Sequence, residues 1–545
     1  MNVLIGGAWP YANGSLHIGH IAALLPGDVL ARYFRAKGDT VLFVSGSDCH
    51  GTPVTIRAKQ ENKTPEEISD FYHNEFSHCL LRLGFSYDLY DKTSSEEHKN
   101  FVKDFHKKLY NGGFVYEKTT PQAYCTNCHR FLPDRFVKGV CPHCGKNARG
   151  DQCESCGSVL DPENLLKAEC SICGSSPESR PSTHLFLALT KLKDQLENYI
   201  ESHSFWRKNA YELSKRYIRE GLQDRSLTRD LDWGIDVPKD GFEGKKIYIW
   251  AENVLGYLSA CYTLCQRHGL DFIEFWNSSK HYYVHGKDNV PFHTIILPAL
   301  LLSRTDTFFK LPDEIISSEH LTLSGKKIST SDNWAVWIKD ILDRYNPDSI
   351  RYFLISNGPQ KKDTDFTWRE FINSHNGELL GAYGNFVNRS LVFIQKFFEG
   401  KVPETHNRPD ILNSLPELYD QVGALIEQGN FKEALDTVFK FIRNANKYFD
   451  EEQPWITVNS DLEKSKKTLY TCVQIIANLS LLLNPFLPFS SEKVRNILKI
   501  EKAAWNFIEI PNGFQLEPLE VLFERIDKKV IAEEEARLLQ NQAIS

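Results

Sequence analysis

The apolar positions of the first fifty residues follow the pattern of a buried sheet. Residues 2–8 (NVLIGGA) and 39–48 (DTVLFVSGSD) are short apolar runs that end in small or polar residues, as buried parallel strands do. Between them we expect one helix with Ser15 as its N-cap, Gly38 as its stop, and a kink or break at Pro26. Strand, helix and strand in this order predict a βαβ unit and hence a parallel sheet.

The same pattern returns later in the chain and then gives way to helical periodicity. Apolar runs at 245–252 (KKIYIWAE) and 281–288 (HYYVHGKD) predict two more strands, each followed by a helix-like segment. The sheet is therefore expected to be built in two halves around an insertion. Further on, apolar residues recur every three or four positions, which predicts an all-helical C-terminal domain. The clearest stripe consists of Phe431, Leu435, Val438, Ile442, Ala445 and Phe449.

Composition and charge indicate a globular chain of several domains. It has 545 residues, of which 41% are hydrophobic and 25% charged, and its formal net charge is -7. This charge argues against a generally basic nucleic-acid-binding surface, although local basic patches remain compatible with it. The N-terminus lacks the basic start and apolar core of a signal peptide, and no apolar run reaches about 18 residues. We therefore expect a cytoplasmic protein without membrane spans.

Eight of the 13 cysteines form four Cys-x-x-Cys pairs within residues 125–173. In a reducing compartment they are not a disulfide framework, and four thiolates around one Zn²⁺ make a closed structural site. Two structural zinc ions are therefore predicted. The other five cysteines are expected to pack as small apolar residues: Cys49, Cys79, Cys261, Cys265 and Cys472.

The links between the pairs indicate which cysteines share an ion. The short link 145–152 joins the second pair to the third and closes easily, which favours nested sites over the alternative of sequential pairing. The predicted inner site is Cys141, Cys144, Cys153 and Cys156. The predicted outer site is Cys125, Cys128, Cys170 and Cys173.

Two histidines, His17 and His20, lie one turn apart near the start of the first predicted helix. In an open parallel sheet, ligands bind beyond the carboxyl ends of the strands, where a helix N-terminus favours an anion. Residues 12–15 (ANGS) are small and allow a ligand close to the backbone. Imidazole donors here would suit phosphate, above all in a transition state that carries extra charge. Spacing alone leaves two alternatives open, ordinary histidines and a metal-binding pair.

A second stretch, 317–337 (SSEHLTLSGKKISTSDNWAVW), combines small residues, hydroxyls and lysines. Lys326 and Lys327 follow Gly325 in this loop. Such a composition is compatible with a phosphate-binding loop, but taken alone it is more often a solvated turn. Its significance comes from its combination with the two histidines.

Together the two stretches resemble the paired signatures of class I aminoacyl-tRNA synthetases. HIGH (17–20) matches the first signature in full, and KISTS (327–331) matches the second, with Ile328 and Thr330 where the family usually has Met and Lys. Other stretches are similar to those of the methionyl-tRNA synthetase family: PYANGSLHIGH, SDCHGTP, FLPDRFVKGVCPHCG, DLDWG, HGKDNVPFHT and EEQPW. The resemblance runs in order from residue 3 to about residue 525.

This resemblance implies a two-step reaction. Methionine and ATP give methionyl-adenylate and pyrophosphate, and the methionyl group then passes to tRNA(Met), for translation initiation and elongation. Such chemistry depends on positioning and charge neutralisation rather than on a protein nucleophile. The implied catalytic residues are His17, His20 and Lys327. The implied ATP site, which takes ATP with Mg²⁺, is His17, His20, Gly286, Asp288, Lys327, Ser329 and Ser331.

The resemblance also implies a methionine pocket, formed by Tyr11, Asp48, Trp250, Tyr257, Asn289 and His293. Asp48 would hold the substrate ammonium, whereas the alternative is an ordinary aspartate at a strand end. The aromatic residues would surround the thioether, whereas the alternative is plain core packing.

The chain departs from the family pattern at the lip of this pocket. Trp9 stands where a leucine or another apolar residue is common, and WAENVLGY (250–257) stands where W-x-D-A-P-I-G-Y is usual. Glu252, Asn253 and Val254 thus replace Asp, Ala and Pro. We therefore expect a pocket that differs in detailed shape.

In the helical part, Asn385, Arg389 and Trp455 match the anticodon-reading positions of the family. Trp455 would stack on an unpaired base, and the polar pair would read base edges. An asparagine expected one turn before Asn385 is Gly381 here. The alternative for Trp455 is a buried capping side chain.

The predicted fold is α/β: a Rossmann-type doubly wound parallel sheet with a zinc-knuckle insertion, followed by an α-helical bundle. The predicted domains are 1–114 and 236–325 (the two catalytic halves), 115–235 (insertion), 326–375 (signature loop and stem contact), 376–525 (anticodon-binding helices) and 526–545 (tail). The chain ends without an appended tRNA-binding barrel, so a monomer is expected. Two other functions remain open: a class I synthetase for valine or isoleucine, and a zinc-ribbon RNA-binding protein that has lost catalysis.

Overall fold

The computed structural model describes residues 1–150, 153, 155–156, 158, 160, 162–330, 332–405 and 410–544. Its first part alternates strands and helices: β1 (Asn2–Gly7), α1 (Ile18–Lys37), β2 (Thr40–Ser47), α2 (Thr52–Glu61), α3 (Pro65–Arg82), β3 (Leu89–Lys92) and α4 (Glu96–Tyr110). The inserted part follows with β4 (Val115–Cys125), β5 (Arg130–Phe131), β6 (Val137–Val140), β7 (Asn147–Arg149), β8 (Leu166–Cys170), β9 (Glu178–Leu187), α5 (Lys193–Ser202), α6 (Lys208–Glu220), β10 (Arg225–Ser226), β11 (Thr228–Arg229) and β12 (Lys246–Ile247).

The second half of the sheet and its extension follow the insertion. Their elements are α7 (Ile249–Glu252), α8 (Gly256–His268), α9 (Phe272–Ser278), β13 (Lys280–Gly286), α10 (Leu297–Leu302), β14 (Glu314–Ser318), β15 (Leu321–Leu323), β16 (Lys326–Lys327), α11 (Ile338–Leu342), α12 (Pro347–Ser356) and β17 (Thr364–Phe366). The remaining elements are helices: α13 (Trp368–Ser374), α14 (Asn385–Phe397), α15 (Leu415–Glu427), α16 (Phe431–Glu452), α17 (Pro454–Ser460), α18 (Leu462–Leu482), α19 (Pro488–Ile497) and α20 (Val530–Ile544). Two segments, Phe292–Ile296 and His375–Gly384, are π-helical.

Five parallel strands form the central sheet in the order β14-β13-β1-β2-β3. From β1 the chain winds outward to β2 and β3, and later winds in the other direction through β13 and β14. The predicted doubly wound parallel sheet is confirmed. The order reverses between β1 and β13, so their carboxyl ends frame the crevice where such sheets bind ligands.

Successive side chains of β1 point to opposite faces of the sheet and pack into a hydrophobic core on each face. Val3 and Ile5 face a core that continues through α1 into the C-terminal helices, whereas Leu4 faces the core under α4 and α8. This period of two is what a strand buried on both faces requires.

The first helix differs from the prediction at its start. Its N-cap is His17 rather than Ser15, because the imidazole itself accepts a backbone N–H of the first turn. The expected stop at Gly38 is confirmed, with φ of 90° in the left-handed region. Pro26 lies within the helix, which continues from Ile18 to Lys37 without a break.

The predicted strand at 245–252 is wrong over most of its length. Only Lys246–Ile247 is extended, and it pairs antiparallel with β11 outside the central sheet. Residues Ile249–Glu252 form a helical turn instead. A short apolar run does not distinguish a buried strand from a buried helical turn.

The inserted part is built on a long antiparallel ribbon of β4 and β9, in which Val115 pairs with Leu187 and Tyr124 with Glu178. A small sheet in the order β7-β6-β8 follows at the far end of the ribbon. Cys125 and Cys128 lie at the end of β4 and in the turn to β5, and the other three pairs lie on this small sheet and its turns. The predicted insertion thus carries all four pairs.

The helical character of the C-terminal part is confirmed. All six residues of the predicted stripe lie on α16 and are at most 2% exposed. Within the described residues, no helix combines the length and the apolar character that crossing a membrane requires. The domain boundaries given above stay predictions.

Candidate active site and metal centres

His17 and His20 cap the helix that begins at the carboxyl end of β1. The Nδ1 atom of His17 accepts the N–H of Gly19 at 3.1 Å, and the Nδ1 atom of His20 accepts the N–H of His17 at 3.1 Å. An Nδ1 atom that accepts a hydrogen bond carries no proton, so each neutral ring carries its proton on Nε2. The capping arrangement therefore presents two Nε2–H donors at a helix N-terminus.

The charge state of both rings agrees with this role. Burial lowers the pKa of His20 to about 4. Burial, and in second place the charge of His20, lowers the pKa of His17 well below its usual value. The rings stack with their centroids 3.8 Å apart, which two imidazolium ions would disfavour. At neutral pH both rings are thus neutral donors.

The lysine loop is a hairpin of β15 and β16 that turns at Gly325, whose φ is +76°. One carboxylate oxygen of Asp365 accepts the N–H of Gly325 at 2.9 Å and the hydroxyl of Thr322 at 2.5 Å, which fixes the turn. Neighbouring strand residues point to opposite faces. The Lys326 ammonium lies 4.6 Å from the ring centroid of Trp334, so the exposed Lys327 side chain leaves the hairpin on the other face.

Backbone pairing joins this loop to the histidine helix. The N–H of Ile18 donates to the carbonyl of Val336 at 3.1 Å, and the N–H of Ile338 donates to the carbonyl of Leu16 at 2.9 Å. A Cβ atom built on Gly19 would lie 3.4 Å from Cδ1 of Ile328. The two signature stretches, at 17–20 and 327–331 in the sequence, therefore lie side by side.

The other ATP-site residues predicted from the resemblance have different surroundings. Gly286 ends β13 at the crevice, and Asp288 follows it as an exposed residue whose carboxylate is 3.9 Å from His320. The Ser329 hydroxyl donates to Asp332 at 2.9 Å within the loop. Ser331 lies outside the described residues.

The aromatic residues of the predicted methionine pocket meet around the end of β13. His293 donates from Nδ1 to the carbonyl of Asn289 at 2.8 Å and accepts the Tyr257 hydroxyl at Nε2, also at 2.8 Å. Burial lowers the pKa of His293 to about 4, so the ring is neutral and this assignment of protons holds. The rings of Trp250 and Phe292 stack with their centroids 3.5 Å apart, and Tyr11 packs edge-on against Trp250 with a centroid distance of 6.4 Å.

Asp48 is buried between β2 and the segment that follows β1. Its N–H donates to the carbonyl of Pro10 and its own carbonyl accepts the N–H of Ala12, both at 2.8 Å. Its carboxylate accepts the Asn253 amide at 2.7 Å and the N–H of His50 at 3.3 Å. Burial, with the nearby Glu252 carboxylate as a second cause, raises the pKa of Asp48 well above its usual value.

Three residues beside the predicted methionine pocket were not among the site residues predicted from the sequence. Phe292 stacks on Trp250, His285 stacks on His293 with centroids 4.1 Å apart, and Asn253 binds Asp48. Phe292 and His285 both lie within the HGKDNVPFHT stretch (285–294), and this stretch is the signal that could have identified them. Asn253 was visible only as a departure from the family pattern.

The eight paired cysteines form two groups in the nested arrangement. Cys125, Cys128, Cys170 and Cys173 converge in one group, and Cys141, Cys144, Cys153 and Cys156 in the other, with all four sulfurs of each group within 4.8 Å. Cross-pair Sγ distances are 3.5 and 4.0 Å in the outer group and 3.8 and 3.6 Å in the inner group. A tetrahedral Zn²⁺ with Zn–S bonds of about 2.3 Å needs sulfurs about 3.8 Å apart, so both groups fit zinc. The five other cysteines are buried, as predicted.

An exposed tryptophan, Trp455, lies near the predicted anticodon-reading residues of the helical part. Arg389 donates to Asp450 at 2.8 Å, and its guanidinium lies 4.2 Å from the centroid of the Phe449 ring. The ring centroids of Trp455 and Phe449 lie 5.9 Å apart, and Trp455 is 42% exposed, so it is not a buried capping residue. Asn385 lies one turn before Arg389 on α14 and is also exposed.

Comparison with known proteins agrees with this geometry. The model for "tRNA synthetases class I (M)" matches residues 3–391, and the model for "Anticodon binding domain of methionyl tRNA ligase" matches residues 403–542. Methionine–tRNA ligase 1 of Alkaliphilus oremlandii is 54% identical over 99% of this chain and 100% of its own. Methionine–tRNA ligase of Streptococcus pneumoniae strain CGSP14 is 53% identical over 100% of both chains.

The solved structure of Mycobacterium tuberculosis methionyl-tRNA synthetase in complex with methionyl-adenylate has the same fold, with a TM-score of 0.81. It is 22% identical and covers 96% of this chain and 100% of its own. The doubly wound sheet, with its two signature stretches at the switch point, is the catalytic core of a class I aminoacyl-tRNA synthetase. Within that class, the chain belongs to the methionyl-tRNA synthetase family.

Proposed function

We propose that this chain activates L-methionine with ATP and transfers the methionyl group to tRNA(Met), for translation initiation and elongation. A carboxylate oxygen of methionine attacks the α-phosphorus of ATP, and the bond to the bridging oxygen breaks to release pyrophosphate. A hydroxyl of the terminal ribose of the tRNA then attacks the methionyl carbonyl carbon and releases AMP. The observation that carries the proposal is the side-by-side placement of the His17/His20 helix and the Lys327 hairpin.

In the first step the chain supplies donors and positive charge. The Nε2–H groups of His17 and His20 and the ammonium of Lys327 bind the phosphates as charge builds up in the transition state. Gly286, Asp288, Ser329 and Ser331 complete the proposed ATP site. Mg²⁺ would accompany ATP at this site and would neutralise part of the phosphate charge.

The pocket beside these donors fits a thioether amino acid. Asp48 takes the ammonium group, Asn289 lies at its rim, and the rings of Tyr11, Trp250, Tyr257 and His293 surround the side chain. Because the Tyr257 hydroxyl and both ring nitrogens of His293 are already paired with each other or with the backbone, these residues offer apolar surface to the sulfur. Sulfur–aromatic contact then favours methionine over a branched aliphatic side chain.

Pyrophosphate exchange with a panel of amino acids tests the proposed function. We expect ATP–pyrophosphate exchange with methionine, and no comparable exchange with valine or isoleucine. Exchange that depends on valine or isoleucine would favour the other class I assignment. Absence of exchange with every amino acid would favour the RNA-binding module without catalysis.

We propose that Trp455 stacks on an unpaired base of the anticodon loop, while Asn385 and Arg389 read base edges. Trp455→Ala should lower kcat/KM for aminoacylation of tRNA(Met) by about 5- to 150-fold, because stacking on one base contributes about 1–3 kcal/mol. Methionine-dependent pyrophosphate exchange should stay within about twofold, since it needs no tRNA. Phe308→Ala removes another exposed aromatic ring (74% exposed) and serves as the control. Equal loss in both assays would contradict the anticodon role.

We further propose that each cysteine group holds one structural Zn²⁺ through four thiolates. The wild-type protein should then contain two zinc ions per chain. With nested sites, the double variant Cys141→Ser/Cys153→Ser should keep one ion, whereas Cys125→Ser/Cys141→Ser should lose both. Metal content measured by atomic emission checks this, with Cys79→Ala as a control that keeps two. Sequential sites would give the reverse pattern for the two double variants.

The proposed site of this activity is the cytoplasm, where a reducing medium keeps such thiolates available for zinc. The monomeric state stays a prediction, which light scattering of the purified protein would check.

A further inference from the structure

Asn253 forms a buried hydrogen bond with the carboxylate proposed to bind the substrate ammonium. It lies in the 3₁₀ turn after α7, three residues beyond Trp250. Its amide Nδ2 donates to Oδ2 of Asp48 at 2.7 Å. Asn253 is 3% exposed and Asp48 is 1% exposed, so water competes little for this bond.

A second contact, next to the bond between Asn253 and Asp48, joins the same two parts of the chain. Glu252, the neighbour of Asn253, binds Nδ1 of His50 through Oε1 at 2.8 Å, and both side chains are buried. The last residue of α7 and the first residue of the 3₁₀ turn therefore bind two residues of the segment that follows β2. The backbone of Asp48 is also paired to Pro10 and Ala12. Its side-chain torsions are then fixed by the short bond from Asn253 and the longer one from the N–H of His50.

The chemistry of a buried carboxylate makes this bond consequential. Burial and the nearby Glu252 carboxylate both favour the protonated form of Asp48, which cannot attract an ammonium ion. An amide N–H on one oxygen stabilises the ionised form without adding a positive charge that would repel the substrate. The other oxygen, Oδ1, accepts only the longer hydrogen bond from the N–H of His50 at 3.3 Å, so the carboxylate keeps lone pairs for an ammonium group.

We propose that Asn253 is a positioning residue that holds the Asp48 carboxylate in place for the ammonium group of the amino acid substrate. This inference rests on the proposed function, and it assigns a role to a position at which the chain departs from its family's usual alanine. Asn253 contacts Asp48, so we expect it to act on recognition of the amino group and not on the thioether.

Two inhibitors that differ only by an amino group test the role. L-Methioninol carries the ammonium group, and 4-(methylthio)butan-1-ol is the same molecule without it. Their Ki values are measured against methionine in the pyrophosphate exchange assay. The Ki of the alcohol without the amino group, divided by the Ki of L-methioninol, reports recognition of the amino group. Asn253→Ala and the nearly isosteric Asn253→Leu should each lower this ratio by about 10-fold or more, the effect of losing a hydrogen bond to a charged group.

Two further variants separate positioning from general loosening. Val254→Ala shortens a buried side chain in the same turn and should shift both Ki values alike, with their ratio within about twofold of wild type. In an Asp48→Asn background, Asn253→Ala should lower the ratio no further, because the two residues act as one unit.

The outcomes are separable. A ratio that is unchanged in both Asn253 variants, or one that still falls in the Asp48→Asn background, would overturn the positioning role. A wild-type protein without methionine-dependent exchange would overturn the proposed function itself.

Discussion

Replacing Lys327 with alanine should lower the rate of methionyl-adenylate formation by about 100- to 1,000-fold, the usual effect of removing one charge-stabilising donor from a transition state. The Kd for methionine should stay within about twofold, because the proposed methionine site consists of Asp48 and the aromatic pocket and does not include the hairpin. The separation follows if the ammonium charge acts mainly on charge that develops in the reaction. Single-turnover formation of the adenylate measures the rate, and equilibrium binding measures the Kd.

The neighbouring lysine is the matched control for this experiment. Lys326 has the same side chain in the same hairpin, but its ammonium lies over the Trp334 ring, on the face opposite Lys327. Lys326→Ala should therefore reduce the rate far less. Equal losses in the two variants would mean that the hairpin contributes general positive charge and that Lys327 has no specific role. A large rise in the Kd for methionine with an unchanged rate would also contradict the assignment.

The parts of the fold that the sequence predicts are those that local chemistry determines. Apolar runs of strand length predict β1, β2 and β13. A parallel sheet is covered on both faces, so its strands are apolar at successive positions. The short link between Cys144 and Cys153 predicts the nested grouping, because it brings the two pairs that it joins together more easily than either is brought to a more distant pair. The stripe on α16 followed from helical periodicity alone.

Other parts depend on contacts between segments far apart in the sequence. Nothing local in KKIYIWAE indicates that Ile249–Glu252 turns into a helix, since the turn is fixed by the buried Glu252–His50 pair. His17 replaces Ser15 as the N-cap because two imidazoles three residues apart accept backbone N–H groups reciprocally. Periodicity and residue preference carry no information on either arrangement.

Trp9 shows how a departure from a family pattern is absorbed. Its indole is buried beside the His98 ring, with the two ring centroids 5.9 Å apart. A Cβ atom on Gly46 would come within 2.4 Å of that indole, and a Cβ atom on Gly256 within 2.7 Å. The large ring therefore fits because two glycines leave room for it, in the core beside the pocket.

A buried ion pair joins the sheet to the helical part and should dominate the stability of their junction. Arg351 on α12 and Asp28 on α1 are both fully buried, with Nη2 and Oδ2 2.7 Å apart. The same guanidinium donates to the carbonyls of Leu83, Pro485 and Phe486 at 2.9–3.2 Å. Burial alone would raise the pKa of Asp28, but Arg32 and Arg351 lower it to about 2.

Arg351→Ala should therefore lower the free energy of unfolding by about 3–5 kcal/mol, because it leaves three carbonyls without their donor and removes one of two cations beside a buried carboxylate. Urea unfolding followed by circular dichroism measures the change. Arg32→Ala removes the other, partly exposed cation of Asp28 (side chain 20% exposed), and it should cost about 1 kcal/mol or less. Since the folded pKa of Asp28 lies below its unfolded value, the stability from this carboxylate is present above about pH 4 and is lost as the pH falls toward 2. Similar losses in the two variants would mean that the carboxylate matters only as a charge, whereas a much larger loss for Arg351→Ala would show that the junction depends on the guanidinium bridging four segments at once.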